Sequence, residues 1–487
     1  MSWPFWFGAL LTLAGLLTAA GEIAARKNWV SLFSARKGVH ITVALCCAVA
    51  VEIIPFNPYF ILGVGLIVLL LWLSVSKQWF SIDRMHDRRS WGIFYFGLSY
   101  FLLLLFWGEN SPITVVFAMA VMGLADALAA LIGRKFPLPS LTLGREEKSW
   151  AGSITFFFIA FILLLGGLLQ LQWVTTSIDI VAILFLVFWL TAVENSAGKG
   201  TDNLSVPLLF GAVFPFLFGP MASPELLSRF IWITPFAALF FLGTTRLKSL
   251  TRDGGITAAS LGVLLYSLGG WMFVIPLFLF FGTGSLLSRV LKINTQTVEK
   301  TGARDPWQVL ANGAIPAFAL LLGFYSNNLH WAFLGYLGAV AAANADTWST
   351  EWGMRYGGTP RGIFSLQPVP KGKSGGVSAV GLIAAMAGSA LIACSGLLFL
   401  PFGSWFFAVT LIGFSGSLVD SALGAFQAYY HLPANTNNPP QITEQKKWNG
   451  IPLPKAGGIR WLENDLVNFI SSATSLGATL LYAATTL

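Results

Sequence analysis

The chain has 487 residues, 55% of them hydrophobic and only 10% charged, with a net charge of +8. Soluble proteins carry roughly 25% charged residues, so an ordinary soluble enzyme is excluded and an integral membrane protein is indicated. The positive balance argues for no nucleic-acid partner, because 28 of the 29 Lys and Arg are spread over eight short clusters rather than gathered on one domain.

The first apolar run, WPFWFGALLTLAGLLTAAG, has no basic leader and is followed by Arg26 and Lys27. It is expected to stay as a first transmembrane helix with its N-terminus outside. The basic clusters then fall at 26–37, 77–89, 134–148, 199, 246–252, 289–304, 355–373 and 446–460, each separated from the next by room for a two-span hairpin. A first helix, seven hairpins and a last helix make an all-α polytopic membrane protein of about 16 transmembrane helices. Every basic loop then lies on one face, which the positive-inside rule makes cytoplasmic. Cys46, Cys47 and Cys394 sit in apolar runs without a CxxC, so neither disulfide nor zinc is expected.

The acids divide the chain into two halves, 1–242 and 243–487, with a seam where the hydrophobic pattern breaks near 243–255. In GLADALAALIGRKF, Asp126 precedes Gly133 by seven residues, and Arg134 and Lys135 open a basic loop that closes with GREEKSWAGS. In ANADTWSTEWGMRYGG, Asp346 again precedes a glycine, Gly353, by seven, and the loop closes with PKGKSGGVS. Glu194 lies 46 residues after Lys148, and Asp420 lies 47 after Lys373. Each half then offers an Asp/Asn pair, Asp202–Asn203 and Asn464–Asp465. Matching order at nearly matching gaps indicates an internal duplication.

A carboxylate within a span costs about 2.5–3.5 kcal/mol on insertion scales, so Asp126 and Asp346 are functional candidates. A polar pair that merely ties helices together is the alternative. KSWAGS (Lys148, Ser149, Gly152, Ser153) and KGKSGG (Lys371, Lys373, Ser374, Gly375, Gly376) are expected as phosphate sites at helix N-termini, where the dipole and free N–H groups favour anions. Neither is a Walker A loop, because position 367 is Gln where that motif needs Gly. Phosphate cradles beside carboxylates point to a divalent metal, and Mg²⁺ takes one or two carboxylates with phosphate oxygens and water. Asp126, Glu194, Asp202, Asp346, Asp420 and Asp465 are its candidate ligands. Arg304, Gln308 and Asn312, at i, i+4 and i+8, are expected on one helical stripe facing the second site, and Asn203 and Asn464 join as nucleotide contacts.

These residues carry two resemblances. ARKGVHI (Arg36, Lys37, His40), Asp126…Gly133-Arg134-Lys135-Phe136, Lys148-Ser149…Gly152-Ser153 and Asp202-Asn203-Leu204 make the first half similar to the membrane polyprenol kinases, the phytol and dolichol kinases. SLTRDGGITAASLG, GARDPWQVLANG, ANADTWSTEWG, VPKGKSGGVSAVG, GSLVDSALGAFQ and ENDLVNF make the second half resemble the phytyl-phosphate kinase family. The resemblance implies two consecutive phosphorylations. An isoprenoid alcohol would become its monophosphate and then its diphosphate, with CTP as the nucleoside triphosphate donor and Mg²⁺ as the metal. Asp126 and Asp346 would be the catalytic carboxylates, in a plasma or photosynthetic membrane with both sites on the cytoplasmic face. Ala130 stands where phytol kinases often carry a second acid, which leaves the alcohol open among phytol, geranylgeraniol, farnesol and longer polyprenols. A two-repeat transporter of a lipid phosphate or organic anion is the competing reading, followed by a cytidylyltransferase.

Overall fold

The computed structural model describes residues 3–77, 84–85, 88–89, 91–136, 139–141, 148–291, 303–432, 442–443, 446–448 and 451–486. Among them run sixteen helices. The first nine are α1 (Trp3–Arg26), α2 (Leu32–Ile53), α3 (Pro58–Lys77), α4 (Gly92–Trp107), α5 (Pro112–Lys135), α6 (Trp150–Gln170), α7 (Ser177–Ser196), α8 (Asp202–Leu217) and α9 (Pro224–Arg246). The other seven are α10 (Arg252–Gly269), α11 (Trp271–Leu291), α12 (Pro306–Tyr325), α13 (Leu329–Tyr356), α14 (Ala379–Gly396), α15 (Ser404–Gly424) and α16 (Asn464–Thr486).

Twelve of these are long and apolar enough to cross a membrane, fewer than the sixteen spans expected. The shortfall has a physical cause. α4 and α8 have only 16 residues each, while α10 opens on Arg-Asp-Gly-Gly and α13 carries Asn344, Asp346 and Glu351. The chain divides into two compact units, Met1–Phe236 and Ala237–Leu487, and the division falls inside α9.

In the first unit α5 is the central rod. It packs against α2, α4, α6 and α8, and α3 and α4 pack together beside it. α5 is not regular throughout, because Val121–Asp126 form a π turn between two α-helical segments. Such turns insert one residue into the ladder and mark functional positions more often than chance.

In the second unit α13 is central and packs against α11, α12, α14, α15 and α16. Ala332 to Ala345 are buried without interruption, because GYLGAVAAANA presents small residues on every side and lets neighbouring backbones approach. A Cβ on Gly416 of α15 would lie 2.5 Å from the Ala342 Cβ of α13. Ser471 of α16 donates to the Gly416 carbonyl at 2.7 Å, so three helices cross at this level. Asn344, fully buried, is satisfied by donating to the Gly388 carbonyl at 2.7 Å and accepting from Thr283 at 3.3 Å. Outside the helices, 429–431 pairs antiparallel with 442–443 on one side and 455–457 on the other. Ala428, Tyr430 and Leu453 form a small core beneath that sheet.

Candidate active sites

In the first unit Ser140–Leu141 and Lys148–Ser149 pair as short antiparallel strands, and the second strand runs directly into α6. Ser149 is the N-cap, accepting from the Gly152 N–H at 3.0 Å. A Cβ on Gly133 would sit 2.5 Å from the Ser149 hydroxyl, so the last turn of α5 rests directly on the start of α6. That contact brings Lys148 back over the acids. Its Nζ lies 2.5 Å from Glu194 Oε1 and 3.4 Å from Asp202 Oδ2, near the last turn of α7 and the first residue of α8. The turn between those helices places Lys199 (φ 56°) and Gly200 (φ 82°) in the left-handed region. Asn203 ties α8 to α4 by donating to the Gly92 carbonyl at 3.0 Å.

Asp126 completes the cluster. Carboxylate oxygens of Asp126, Glu194 and Asp202 lie within 4.8 Å of one another, and the first two residues are buried. On its other side Asp126 Oδ2 takes the Lys37 ammonium at 2.6 Å, with His40 Nε2 at 3.7 Å. His40 donates from Nε2 to the Met122 carbonyl, 3.1 Å away inside the π turn. The irregular turn therefore sets the acid and offers a carbonyl to the imidazole beside it. Burial works against the charge on Lys148, but Glu194 and Asp202 outweigh it and raise the ammonium above its ordinary value. Three hard oxygen donors converging from three helices fit Mg²⁺.

The cluster forms the polar end of a cavity of about 880 Å³. Asp126, Ala130 and Gly133 all line it, as their spacing on one helical face predicts. Its other walls, supplied by α1 to α4, are mainly apolar, with Thr18, Arg36, Ser74 and Tyr100 among them.

The KSWAGS segment of this unit lies at a helix N-terminus, as expected, and its side chains have partners within the protein. Lys148 holds carboxylates, Ser149 caps α6, and Ser153 donates to Asn195 Oδ1 at 2.6 Å. Residues 142–147, which include the GREE segment, lie outside the described residues.

In the second unit Asp346 and Asp420 face each other as hydrogen-bond partners. The register explains why: each lies one turn beyond the Ala342–Gly416 crossing of α13 and α15. α16 runs antiparallel to α15 at that crossing, so Asn464 and Asp465, which precede Ser471 by nearly two turns, lie on the same side of the crossing as the two acids. Among the described residues no second group of three such ligands gathers as tightly as in the first unit.

KGKSGG is not at a helix N-terminus, contrary to expectation. Gly372 (φ 82°) and Gly375 (φ 80°) turn the chain there, and Gly376–Val377 pair with Arg361–Gly362. α14 starts only at Ala379, with Ser378 as the cap that accepts from the Gly381 N–H at 3.1 Å. The turn packs on the end of α15, with the Ser374 Cβ 3.2 Å from where a Gly424 Cβ would be. The Lys373 ammonium sits 5.1 Å from the Tyr429 ring centroid, and Lys371 is exposed.

The expected stripe of Arg304, Gln308 and Asn312 does not form. Arg304 precedes α12 and bridges to Leu250, Gln308 closes a capping box with Asp305, and Asn312 turns back to the Gln308 carbonyl. The Asp305-Pro306 start forces the helix to begin after Arg304. The Arg304 guanidinium lies against Phe280 and Phe281 of α11, at 5.6 and 5.4 Å from their centroids. Burial lowers its pKa, and Glu351, bonded to Ser288, is the compensating anion. Lys37 and the π turn have no signal in spacing alone; the ARKGVHI segment was the one trace of the former.

Helices of this length and composition, with ionised clusters at their ends, define a multi-pass integral membrane protein. The chain belongs to the family described as integral membrane protein DUF92, whose model matches residues 235–476. An uncharacterised membrane protein of Methanocaldococcus jannaschii is 34% identical over 180 residues, 37% of this chain and 74% of the relative. Protein PGR of Arabidopsis thaliana is 29% identical over 283 residues, 51% of this chain and 96% of its own. A phytol kinase of Synechocystis is 28% identical over 220 residues, 43% of this chain and 90% of the relative. No solved structure matches.

Proposed function

We propose that the protein is a bifunctional isoprenoid kinase, in which the first unit phosphorylates an isoprenoid alcohol and the second converts the monophosphate to the diphosphate. The observation that carries this reading is the carboxylate–lysine cluster at the polar end of an apolar cavity. Similarity to phytol kinases supports the same chemistry. A lipid alcohol with its tail in the cavity presents its hydroxyl at Asp126, which takes the proton as the oxygen attacks the terminal phosphorus of CTP. The bond from that phosphorus to the bridging oxygen breaks, and CDP leaves with the electron pair. Asp126, Glu194 and Asp202 are the residues that would hold Mg²⁺, which when bound neutralises phosphate charge. Lys37 orients Asp126, and Lys148 keeps Glu194 and Asp202 together until a cation competes for them. In the second unit the Asp346–Asp420 pair suits the same role, because two facing carboxylates need a proton or a cation between them. The loop of Lys371, Lys373 and Ser374 then supplies positive charge for the monophosphate substrate. The duplication and the cytoplasmic placement of both sites belong to this proposal.

The test is thin-layer separation of lipid products from the purified full chain with Mg²⁺, labelled CTP and phytol or geranylgeraniol. Wild type is expected to give diphosphate, Asp126→Ala neither product, and Asp346→Ala accumulated monophosphate. No labelled lipid from folded protein, with any isoprenoid alcohol or monophosphate and with CTP, ATP, GTP or UTP, overturns the proposal and favours a transporter.

A further inference from the structure

The cavity of the first unit extends far beyond its polar cluster. On α2 one stripe lines it from Lys37 through His40, Val43 and Cys47 to Ala50. The thirteen steps from Lys37 to Ala50 rise by about 20 Å at about 1.5 Å each. The far end is closed at the level of the α2–α3 turn. There Ala50 is buried, and the rings of Phe7 and Phe60 meet edge to face with centroids 5.6 Å apart. Phe60 is 2% exposed, so this floor is packed rather than open. Between floor and head the walls are mainly apolar.

We infer that this channel is a length gauge for the lipid tail, with Ala50, Phe7 and Phe60 as the residues that set the longest chain accepted. This deepens the kinase reading of the first unit and rests on it. An extended chain advances about 1.2 Å per bond, as a polypeptide does, so 20 Å holds about sixteen bonds, the backbone of roughly a twenty-carbon isoprenoid. The volume is ample, since pockets of about 300–1,000 Å³ enclose most of a ligand that size. Polarity gives the orientation: the hydroxyl belongs among Lys37, Asp126 and Lys148, and the tail meets mainly apolar side chains below, where the Tyr100 hydroxyl is already taken by the Cys47 carbonyl. Bulk added at Ala50 raises the floor, and removal of the Phe60 ring lowers it.

The test separates binding from chemistry. Full-length protein in lipid nanodiscs is photolysed, without nucleotide, with a geranylgeraniol analogue carrying a diazirine at its tail end. Adducts are expected on the peptides bearing Ala50 and Phe60, and excess geranylgeraniol should remove them. Ala50→Phe should cut their yield about tenfold, in line with the penalty for surplus bulk in an apolar pocket. In the phosphorylation assay it should shift the ratio of kcat/KM for farnesol over geranylgeraniol upward by a similar factor, and Phe60→Ala should shift preference towards longer polyprenols. Leu62→Phe, on the outward face of α3, serves as the control and should change nothing. Adducts spread over outward residues such as Leu62 and Leu66, or competed by bulk phospholipid rather than by the alcohol, would overturn the gauge even if phosphorylation proceeds. Channel adducts in a protein that phosphorylates no alcohol would leave the tail site standing and remove the kinase reading instead.

Discussion

The two units build their acids on the same kind of corner and finish it differently. In both, a glycine seven residues after the acid lets the end of one helix rest on the serine cap of the next, Gly133 on Ser149 and Gly353 on Ser378. In both, further acids come from the end of one helix and the start of another, Glu194 with Asp202 and Asp420 with Asp465. The first unit then draws three carboxylates within 4.8 Å and inserts two lysines. The second leaves a facing pair, with Asp465 outside so tight a group. Similar corners thus carry different charge balances. Under the proposed function an uncharged alcohol adds nothing to the balance that the two lysines already strike, whereas a monophosphate adds negative charge that the second site must meet with cations.

That contrast breaks most sharply at Asp126. Asp126→Asn keeps the shape and removes the charge, and should lower alcohol phosphorylation by about a hundredfold or more, the scale of losing one key electrostatic group. Phosphorylation of added monophosphate should be unchanged in the same sample. Loss of both activities would mean that the two sites are one.

Lys148→Met tests the built-in counter-ion. It leaves Glu194 buried without its partner and should destabilise the first unit by about 3 kcal/mol, read as a lower midpoint in a thermal melt. The pH dependence follows from the direction of the Lys148 shift. Its folded value is raised, so its stabilising charge is fully present below the ordinary value of 10.5 and is lost only as pH rises beyond it. The gap between wild type and Lys148→Met should therefore stay constant between about pH 7 and 9.5 and narrow above that.

Gly→Ala at the shared corner is the smallest and most symmetrical probe. At Gly133 the new methyl meets the Ser149 hydroxyl at 2.5 Å and disturbs a cap, whereas at Gly353 the Ser378 hydroxyl is 3.3 Å away. The first substitution should cost about 1–2 kcal/mol and the second under about 1, measured by thermal unfolding. Equal costs would show that the corners are not as different as their distances.

Much of this was legible in the sequence, for reasons that can be located. Sixteen helices follow from apolar runs separated by basic clusters, because hydrocarbon and charge sort themselves along a chain independently of packing. Asp126 and Glu194 stand out because a buried acid is costly wherever it is, and Asp202 because it opens an apolar helix beside them. Partners were harder. Lys148 looks the same beside a phosphate as beside Glu194, and only the fold decides which it touches. The KGKSGG turn shares the composition of a helix-start loop, but two left-handed glycines and a strand pair displace the helix to Ala379. Arg304 fitted a helical spacing that Pro306 cuts off one residue after Asp305.

The π turn at Val121–Asp126 has a consequence for how this segment can change. A residue removed from a regular α-helix rotates everything beyond it by about 100°, but the wide turn here already accommodates one extra residue. Deleting a single residue among Val121 to Ala125 should therefore restore a regular ladder and leave Gly133 close to its seat on Ser149, with the loss falling on the contact between His40 and the Met122 carbonyl. A deletion one turn later, among Ala127 to Ile132, has no extra residue to give up and would carry Gly133, Arg134 and Lys135 to another side of the rod. Within one apolar stretch, neighbouring deletions should thus have very different costs.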